Sequence, residues 1–404
     1  MNPIRKIYCR AFQKAFHIAI PFLPYRKPKI AGSVKELPEI IMRHKCTHVL
    51  IITDAGIARL GLTRRLEKTL NEAGIPYTIY DKTVANPTTV NVKEALNLYH
   101  ENGCDAIVGF GGGSSMDCAK ATAARIAKPH QSLAQMKGIL KIHKKLPLLI
   151  AIPTTAGTGS ETTLAAVITD AQTRHKYAIN DFPLIPRYAV LDPKVTLSLP
   201  PFITATTGMD ALTHAVEAYI GNSTTPGTRK NALDAVRLIF ENLDTAYADG
   251  NNIEARRNML RASYFAGCAF TKSYVGYVHA IAHSLGGKYN VPHGLANAVI
   301  LPMVLETYGE SITHKLRNLA VTAGLCDKHE DDKTAAQMFI DAVKDMKKRF
   351  GIGDHIPEIQ ETDIPELAHY ADKEANPLYP VPVLMDASEL ETLYYRLMPP
   401  VSNS

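Results

Sequence analysis

The sequence lacks the cysteine pairs that mark a disulfide framework or a cysteine-based metal site. Its six cysteines are scattered over 404 residues, and none of them forms a CxxC pair. Scattered single cysteines are typical of buried thiols in a reducing compartment. We therefore expect a cytoplasmic protein without structural disulfides.

The sequence also has few long apolar runs, and its first segment has no acidic residue. No apolar run reaches the roughly 18 residues that a membrane-spanning helix needs. The formal net charge is +6, and residues 1–29 alone contain seven basic side chains. The rest of the chain is therefore close to neutral, which argues against a nucleic-acid partner. The basic residues of the first segment are Arg5, Lys6, Arg10, Lys14, Arg26, Lys27 and Lys29.

Residues 1–29 form a basic arm that begins with helical periodicity. Apolar residues recur at helical spacing from Ile4 to Ile18, and Pro21 ends the pattern. Most of the basic residues fall on the opposite face. Three interpretations stay open for the arm: packing on its own protein or on a neighbouring subunit, peripheral contact with an anionic membrane, or organelle targeting without the usual serines.

The remaining chain changes character near residue 200. Up to that point short apolar runs alternate with amphipathic stretches, a pattern typical of a parallel sheet covered on both faces. Beyond it only helical patterns are visible, so we expect an α/β domain at 30–200 and an all-helical domain at 201–404. The predicted strands are Thr47–Asp54, Asp105–Phe110, Leu146–Thr155 and Tyr188–Pro193. The predicted helices include Gly61–Ala73, Val90–Asn102, Thr228–Tyr247, Ile253–Ala269 and Asp332–Phe350.

Two polar loops in the α/β domain indicate a nucleotide site. The first, GGGSSMDCAK (Gly111–Lys120), follows a predicted strand and opens a helix, whose first amides can bind a phosphate. The second, PTTAGTGSETT (Pro153–Thr163), follows another strand, and ligands bind at such strand ends. Asp54 ends an earlier strand, where a carboxylate can bind a ribose and repel a 2′-phosphate. The sequence therefore favours NAD over NADP, although the order differs from the usual dinucleotide fingerprint.

The helical domain has carboxylate and imidazole groups at metal-ligand spacing. Asp210 and His214 are four residues apart, as are His279 and His283, so each pair shares one helix face. His293 follows in a PHG turn that can bring it back towards the preceding helix. This mixture of ligands suits iron, zinc or another transition metal. Spacing alone does not decide whether His279 or His283 is the ligand.

Four motifs together resemble the iron-containing alcohol dehydrogenase family. They are GGGSSMD, PTTAGTGSE, DALTHAVEAY and HAIAHSLGGKYNVPHG, which occur in this order between Gly111 and Gly294. The resemblance as a whole runs from about Lys29 to the C-terminus and leaves out only the arm. The resemblance implies a Rossmann-like dinucleotide-binding domain at 30–200, a metal-binding and catalytic domain at 201–404, and an active site in the cleft between them. It implies the metal ligands Asp210, His214, His279 and His293, and it places His283 in the active site. The implied cofactor contacts are Asp54, Asn86, Gly112, Gly113, Ser114, Asp117, Thr154, Thr155, Thr158 and Lys176.

The resemblance also implies the chemistry. The expected enzyme is an NAD-dependent alcohol dehydrogenase or aldehyde reductase that uses Fe²⁺, with Zn²⁺ or another divalent metal as the alternative. The metal activates the substrate oxygen, and a hydride passes between the small alcohol or aldehyde and the nicotinamide. His283 either relays the hydroxyl proton or only shapes the pocket. Glu217 is expected to support packing or a metal ligand rather than catalysis.

Other functions stay open on the same scaffold. A polyol dehydrogenase of the glycerol type and a dehydroquinate-synthase-like enzyme are the alternatives, and both need a more polar pocket. The apolar residues around the helical motifs favour a small, simple alcohol instead. We also expect a homo-oligomer.

Overall fold

The backbone groups into two units in the computed structural model, which describes residues 1–400. The α/β unit comprises Pro24–Leu199 and Asn251–Leu260. The helical unit comprises Met1–Leu23, Pro200–Gly250 and the chain from Arg261 onward. The first part of the basic arm therefore belongs to the helical unit.

The strands lie in the α/β unit and form two sheets. In the described residues they are β1 (Lys29–Ala31), β2 (Val49–Asp54), β3 (Tyr77–Thr83), β4 (Ala106–Gly111), β5 (Gly138–Ile139), β6 (Leu148–Pro153), β7 (Ala165–Thr169), β8 (Lys176–Asn180) and β9 (Tyr188–Val190). The main sheet is parallel and has the order β1-β9-β6-β4-β2-β3. A smaller sheet has the order β5-β8-β7, and its β7–β8 pair is antiparallel.

The helices cover the main sheet and build the helical unit. Those of the α/β unit are α2 (Leu37–Arg43), α3 (Ala55–Arg59), α4 (Arg64–Glu72), α5 (Thr89–Glu101), α6 (Gly113–Ala127) and α7 (Leu133–Met136). The others are α1 (Pro3–Ala19), α8 (Pro201–Ile220), α9 (Pro226–Ala248), α10 (Ile253–Ser273), α11 (Tyr277–Tyr289), α12 (His293–Tyr308), α13 (Thr313–Thr322), α14 (Asp332–Arg349), α15 (Ile364–Ala375) and α16 (Ala387–Leu397). The start of α10 groups with the α/β unit.

Burial explains why the central strands read as continuous apolar runs. All six residues of β4 are buried, and five of the six residues of β2 are buried. Separate clusters of buried apolar side chains include residues from alternating positions of these strands, as expected for a sheet with a core on each face. The predicted class, a parallel α/β domain followed by helices, is confirmed.

Several strands have no counterpart in the sequence prediction. The strand β3 lies at the edge of the main sheet, and its sequence YTIYDKT is only partly buried. An edge strand has one neighbour and tolerates polar residues, so it gives no continuous apolar signal. The short strands β1, β5, β7 and β8 were missed as well, because two to five residues are too few for a clear period.

The helix α1 binds its own chain through polar groups. The guanidinium of Arg5 donates two hydrogen bonds of 2.7 Å to the carboxylate of Asp372. Arg10 donates to the carbonyls of residues 381 and 382, and the buried Gln13 donates to the Tyr379 carbonyl at 2.7 Å. The helix α1 therefore packs on other parts of the helical unit of its own chain. No helix among residues 1–400 is long and apolar enough to cross a membrane.

A buried lysine ties the first polar loop to the second. Lys120 in α6 is fully buried and donates hydrogen bonds to the Ser160 hydroxyl at 3.0 Å, the Thr163 hydroxyl at 2.7 Å and the Ala165 carbonyl at 2.9 Å. Burial lowers the pKa of Lys120 to about 8, against the attraction of Asp117 and Glu161. Lys120 therefore fixes the loop that follows β6 against α6.

We predict that Lys120→Met destabilises the α/β unit by about 3 kcal/mol, since three buried acceptors lose their donor. The measurement is denaturant unfolding followed by far-ultraviolet circular dichroism. Lys93→Met removes an exposed lysine from the neighbouring α5 and serves as the control. Equal unfolding midpoints for the two variants would contradict the structural role of Lys120.

Candidate metal centre and cofactor loops

Four side chains from three helices of the helical unit meet at one point. Asp210 and His214 come from α8, His279 comes from α11, and His293 is the first residue of α12. One ligand atom from each lies within 4.8 Å of the others. The structure thus brings together the four residues that the family resemblance implies as metal ligands.

The Oδ1 atom of Asp210 lies close to all three imidazoles. It is 3.5 Å from Nε2 of His293, 3.8 Å from Nδ1 of His214 and 3.9 Å from Nε2 of His279. A tetrahedral metal with bonds of about 2.1 Å holds its ligands about 3.4 Å from one another. The observed separations are near that value, so small side-chain movements are enough to bind one ion.

Local sequence explains how three helices approach so closely. The i, i+4 spacing places Asp210 and His214 on one face of α8. The helix α11 ends at Asn290 in a left-handed conformation (φ 57°), and α12 begins three residues later. A Cβ atom on Gly294 would lie 2.5 Å from the Thr206 carbonyl oxygen, so only glycine lets the start of α12 contact α8.

The donor set fits a transition metal. Burial, reinforced by the other imidazoles, lowers the pKa of His279 well below its usual value, so the ring stays neutral and can act as a ligand. The buried amide nitrogen of Asn297 lies 2.7 Å from Asp210 Oδ1, 3.2 Å from His279 Nε2 and 3.1 Å from His293 Nε2. The lone pairs of Asp210, His279 and His293 therefore point towards one small region, which is the arrangement that a bound cation requires.

Glu217 holds His279 from the side away from the cluster. Its Oε2 atom is 2.5 Å from His279 Nδ1, and its Oε1 atom accepts the Val278 amide at 2.8 Å. A Cβ atom on Gly276 would lie 2.7 Å from Oε1, so this carboxylate position requires glycine there. Burial raises the pKa of Glu217 to about 8, and a metal ion bound to the cluster would favour the ionised form. The arrangement leaves Nε2 of His279 for a metal.

His283 lies outside the four-ligand cluster but next to it. Its ring stacks on that of His293 with centroids 5.1 Å apart, and its side chain is 42% exposed. Its Nδ1 atom is 2.6 Å from Oε1 of Glu374, which also accepts the Tyr379 hydroxyl at 2.7 Å. Burial raises the pKa of Glu374, but His283 and Tyr379 outweigh it and the net shift is downward. Glu374 is therefore a carboxylate that orients the His283 ring.

Sequence reasoning missed three residues of this centre. Asn297 lies four residues after His293, so helical spacing could have identified it. Glu374 lies 91 residues after its partner His283, and no local pattern indicates that pairing. Phe270 stacks on the His214 ring at a centroid distance of 4.1 Å and belongs to an ordinary apolar helix face.

In the α/β unit, the candidate cofactor segments follow three neighbouring parallel strands. Asp54 ends β2, Gly111 ends β4, and Pro153 ends β6, with Gly111 and Pro153 paired in register. The carboxyl ends of parallel strands share one edge of the sheet, and ligands of open α/β sheets bind there. The structure therefore brings Asp54 and both polar loops to that edge.

The glycine-rich turn is shaped for close approach to a ligand. Gly111 has φ 151°, and a Cβ atom there would lie 2.5 Å from the Ser115 hydroxyl oxygen. Gly112 caps α6 without a side-chain hydrogen bond, and Gly113 and Ser114 begin the helix. The Thr155 hydroxyl oxygen is buried without a hydrogen-bond partner and would lie 3.7 Å from a Cβ on Gly112. These free amides and this hydroxyl suit a pyrophosphate.

The remaining predicted cofactor residues have other partners as well. Asp54 caps α3 by accepting the Ile57 amide at 3.0 Å. The Asp117 carboxylate accepts the Ser160 hydroxyl at 2.9 Å and the Val167 amide at 3.1 Å. Lys176 donates to the side-chain oxygen of Asn86 at 2.7 Å, and Asn86 has a left-handed backbone (φ 56°). Thr154 donates its amide to Gly111, and the Thr158 hydroxyl accepts the Ser160 amide at 3.3 Å.

Comparison with known proteins identifies similar sequences and structures. Residues 30–193 match the family model described as "Iron-containing alcohol dehydrogenase", and residues 204–398 match "Fe-containing alcohol dehydrogenase family, C-terminal". The 1,3-propanediol dehydrogenase of Klebsiella pneumoniae is 38% identical over 368 residues, covering 90% of this chain and 94% of that protein.

Two further proteins are similar to this chain over most of its length. The NAD-dependent methanol dehydrogenase of Bacillus methanolicus is 37% identical over 352 residues, covering 87% of this chain and 92% of that protein. The crystal structure of a 1,3-propanediol oxidoreductase superposes with a TM-score of 0.88 at 35% identity, covering 93% of this chain and 99% of the other.

We predict that Glu217→Gln lowers the affinity for Fe²⁺ or Zn²⁺ by about ten- to hundredfold. The glutamine amide donates to His279 Nδ1, so the ring proton moves to Nε2 and blocks the ligand atom. Metal affinity is measured by competition with a chromophoric chelator. Glu241→Gln on α9, an exposed position, is the control, and equal affinities for the two variants would show that Glu217 does not orient His279.

Proposed function

We propose a site for the metal, the cofactor and the substrate of this chain, which belongs to the iron-containing alcohol dehydrogenase family. Each site is assigned to residues of one of the two units. The α/β unit binds NAD(H), with NADP(H) disfavoured, and the helical unit binds a divalent metal and the substrate oxygen. The polyol and dehydroquinate-synthase-like alternatives are not favoured by the relatives, which are alcohol dehydrogenases of this type.

The convergence of one carboxylate and three imidazoles is the observation that carries the proposal. Asp210, His214, His279 and His293 would hold the metal, with Fe²⁺ as the proposed ion and Zn²⁺ or another divalent transition metal as the alternative. When bound, such an ion acts as a Lewis acid that lowers the pKa of an alcohol hydroxyl and polarises an aldehyde carbonyl. Glu217 keeps the His279 ring in the orientation that this role needs.

His283 is the proposed acid–base residue. Nδ1 donates to Glu374, so Nε2 is the ring nitrogen that would take the proton of an alcohol or return one to an aldehyde oxygen. The alternative is that His283 only shapes the pocket next to His293.

The cofactor contacts are proposed from the strand-end loops. The amides at the start of α6, together with Gly112, Gly113, Ser114 and the loop residues Thr154, Thr155 and Thr158, would bind the pyrophosphate. Asp54 would accept hydrogen bonds from the adenosine ribose and exclude a 2′-phosphate by charge repulsion. Asn86, Asp117 and Lys176 complete the proposed contacts.

The substrate and the cellular setting are inferred from the relatives, the cysteines and an edge strand. Relatives that act on propanediol and methanol support a short-chain alcohol or the corresponding aldehyde. All six cysteines are free thiols, which supports the cytoplasm. The edge strand β1, with Ile30 half exposed, offers unpaired backbone groups to a second copy and supports a homo-oligomer.

The first experiment measures aldehyde reduction by the chain after metal removal and separate reloading with Fe²⁺ or Zn²⁺. We expect activity on short aldehydes to return with metal, and NADH to be preferred over NADPH. Asp54→Asn keeps the cap of α3 but removes the charge, so the preference for NADH should fall by about tenfold or more.

Glu72→Gln neutralises an exposed acid on α4 and is the control for the change in net charge. No activity on any aldehyde with either metal, while NAD still binds, would contradict the proposed reaction. An unchanged cofactor preference in Asp54→Asn would contradict only the role of Asp54.

A second prediction separates the two roles of His283. If it relays a proton, His283→Gln lowers kcat by about a hundredfold and removes an inflection from the pH profile of kcat/KM. Glu374→Gln should shift that inflection to lower pH, because a neighbouring carboxylate raises the pKa of an imidazole. A change in KM with an unaltered pH profile would show that His283 shapes the pocket only.

A further inference from the structure

The apolar face of α1 points away from the protein. Ile4 is 78% exposed, Ile7 is 70% exposed and Ile18 is 60% exposed, and Phe22 just beyond the helix is 85% exposed. Tyr8 lies on the same face and is also exposed. A surface helix of a globular protein ordinarily buries its apolar stripe and exposes its charged one. In α1 the apolar stripe is exposed instead, together with Lys6 and Lys14.

Polar contacts impose this orientation. The inward face of α1 carries Arg5, Arg10 and Gln13, whose side chains donate to the Asp372 carboxylate and to main-chain carbonyls of residues 379–382. The N-terminal amine lies 2.8 Å from Asp386. These hydrogen bonds to buried and half-buried acceptors act together with the packing of Cys9 and Phe16. They hold the helix with its apolar side outward. The exposure of the apolar side chains of α1 therefore follows from specific contacts of its other face.

A row of basic side chains borders the apolar face. Lys6, Arg10 and Lys14 are four residues apart and lie along one side of α1. They form one wall of a groove of about 630 Å³, whose other wall is the segment 382–384, and no acidic residue lines it. Val383 in that segment is itself 38% exposed. An apolar surface and a positively charged groove are therefore adjacent.

We propose that this docking face, formed by Ile4, Ile7, Tyr8, Ile18 and the flanking Lys6 and Lys14, binds the enzyme to the surface of an anionic lipid bilayer. The apolar side chains enter the boundary between headgroups and acyl chains, and the lysines meet lipid phosphates and carboxylates. The enzyme is then peripheral, with α1 parallel to the membrane plane.

Charge favours a bilayer over a second copy of the chain. A two-fold contact centred on the docking face would place one basic row against another, and residues 1–29 contain no acid to pair with it. An anionic membrane supplies the missing negative charge at the same level as the lysines. The proposal concerns the arm alone and does not depend on the proposed catalytic chemistry.

The absence of tryptophan from the chain allows a selective test. Tyr8→Trp in the full-length protein places the only indole on the docking face. Fluorescence is recorded with vesicles of phosphatidylcholine alone and with vesicles containing about one third phosphatidylserine, which mimic a strongly anionic leaflet. Met338→Trp, at an exposed position of α14, is the matched control.

We expect a blue shift for Tyr8→Trp with the anionic vesicles and none for Met338→Trp. In the Tyr8→Trp background, Lys6→Gln and Lys14→Gln should each lower the vesicle partition coefficient about fivefold. Ile7→Glu should abolish binding in flotation, and melting curves check that the exposed substitution leaves the fold intact.

Three results would overturn the proposal. The first is no blue shift with anionic vesicles. The second is equal partitioning to both kinds of vesicle, unaffected by the lysine substitutions. The third is a dimer in lipid-free sedimentation that Ile7→Glu dissociates while vesicles remain unbound, because the face would then be an interface between two copies.

Discussion

The helical unit is organised around the close approach of α8, α11 and α12. Three imidazoles and a carboxylate with their ligand atoms within 4.8 Å are costly to bury unless something satisfies their lone pairs. Gly294 permits the contact between α12 and α8, and Gly276 permits the Glu217 carboxylate to reach His279. A side chain at either position would clash with these contacts and separate the ligands. A bound metal would therefore account for both the polar cluster and the glycines beside it.

The candidate cofactor edge of the α/β unit is built differently. It has backbone amides at the start of α6 and short hydroxyl side chains, which are groups that can bind a pyrophosphate. Lys120 lies beneath these loops and donates to three acceptors. The buried positive charge holds the loops in place rather than contacting a ligand. Thr155, in contrast, has a buried hydroxyl with no partner in the described structure.

The sequence predicted the central strands and the pairing of Asp210 with His214 for clear physical reasons. Strands buried on both faces are apolar throughout, and two groups four residues apart share a helix face, so both leave local signals. The choice of His279 over His283, and the addition of His293, came from the family resemblance and not from spacing. The edge strand β3 is partly polar and leaves no such signal. Glu374 pairs with His283 across 91 residues, which only the folded chain brings together. The periodicity of α1 was visible, but the sequence did not show that its polar face binds the protein.

The most direct test of the metal centre is X-ray absorption at the metal edge of the Fe²⁺- or Zn²⁺-loaded protein. The four-residue site predicts a shell of nitrogen and oxygen atoms at about 2.0–2.2 Å, with the outer-shell scattering of several imidazoles. Sulfur in the shell, or a shell without imidazole scattering, would place the ion elsewhere and contradict the assignment of Asp210, His214, His279 and His293.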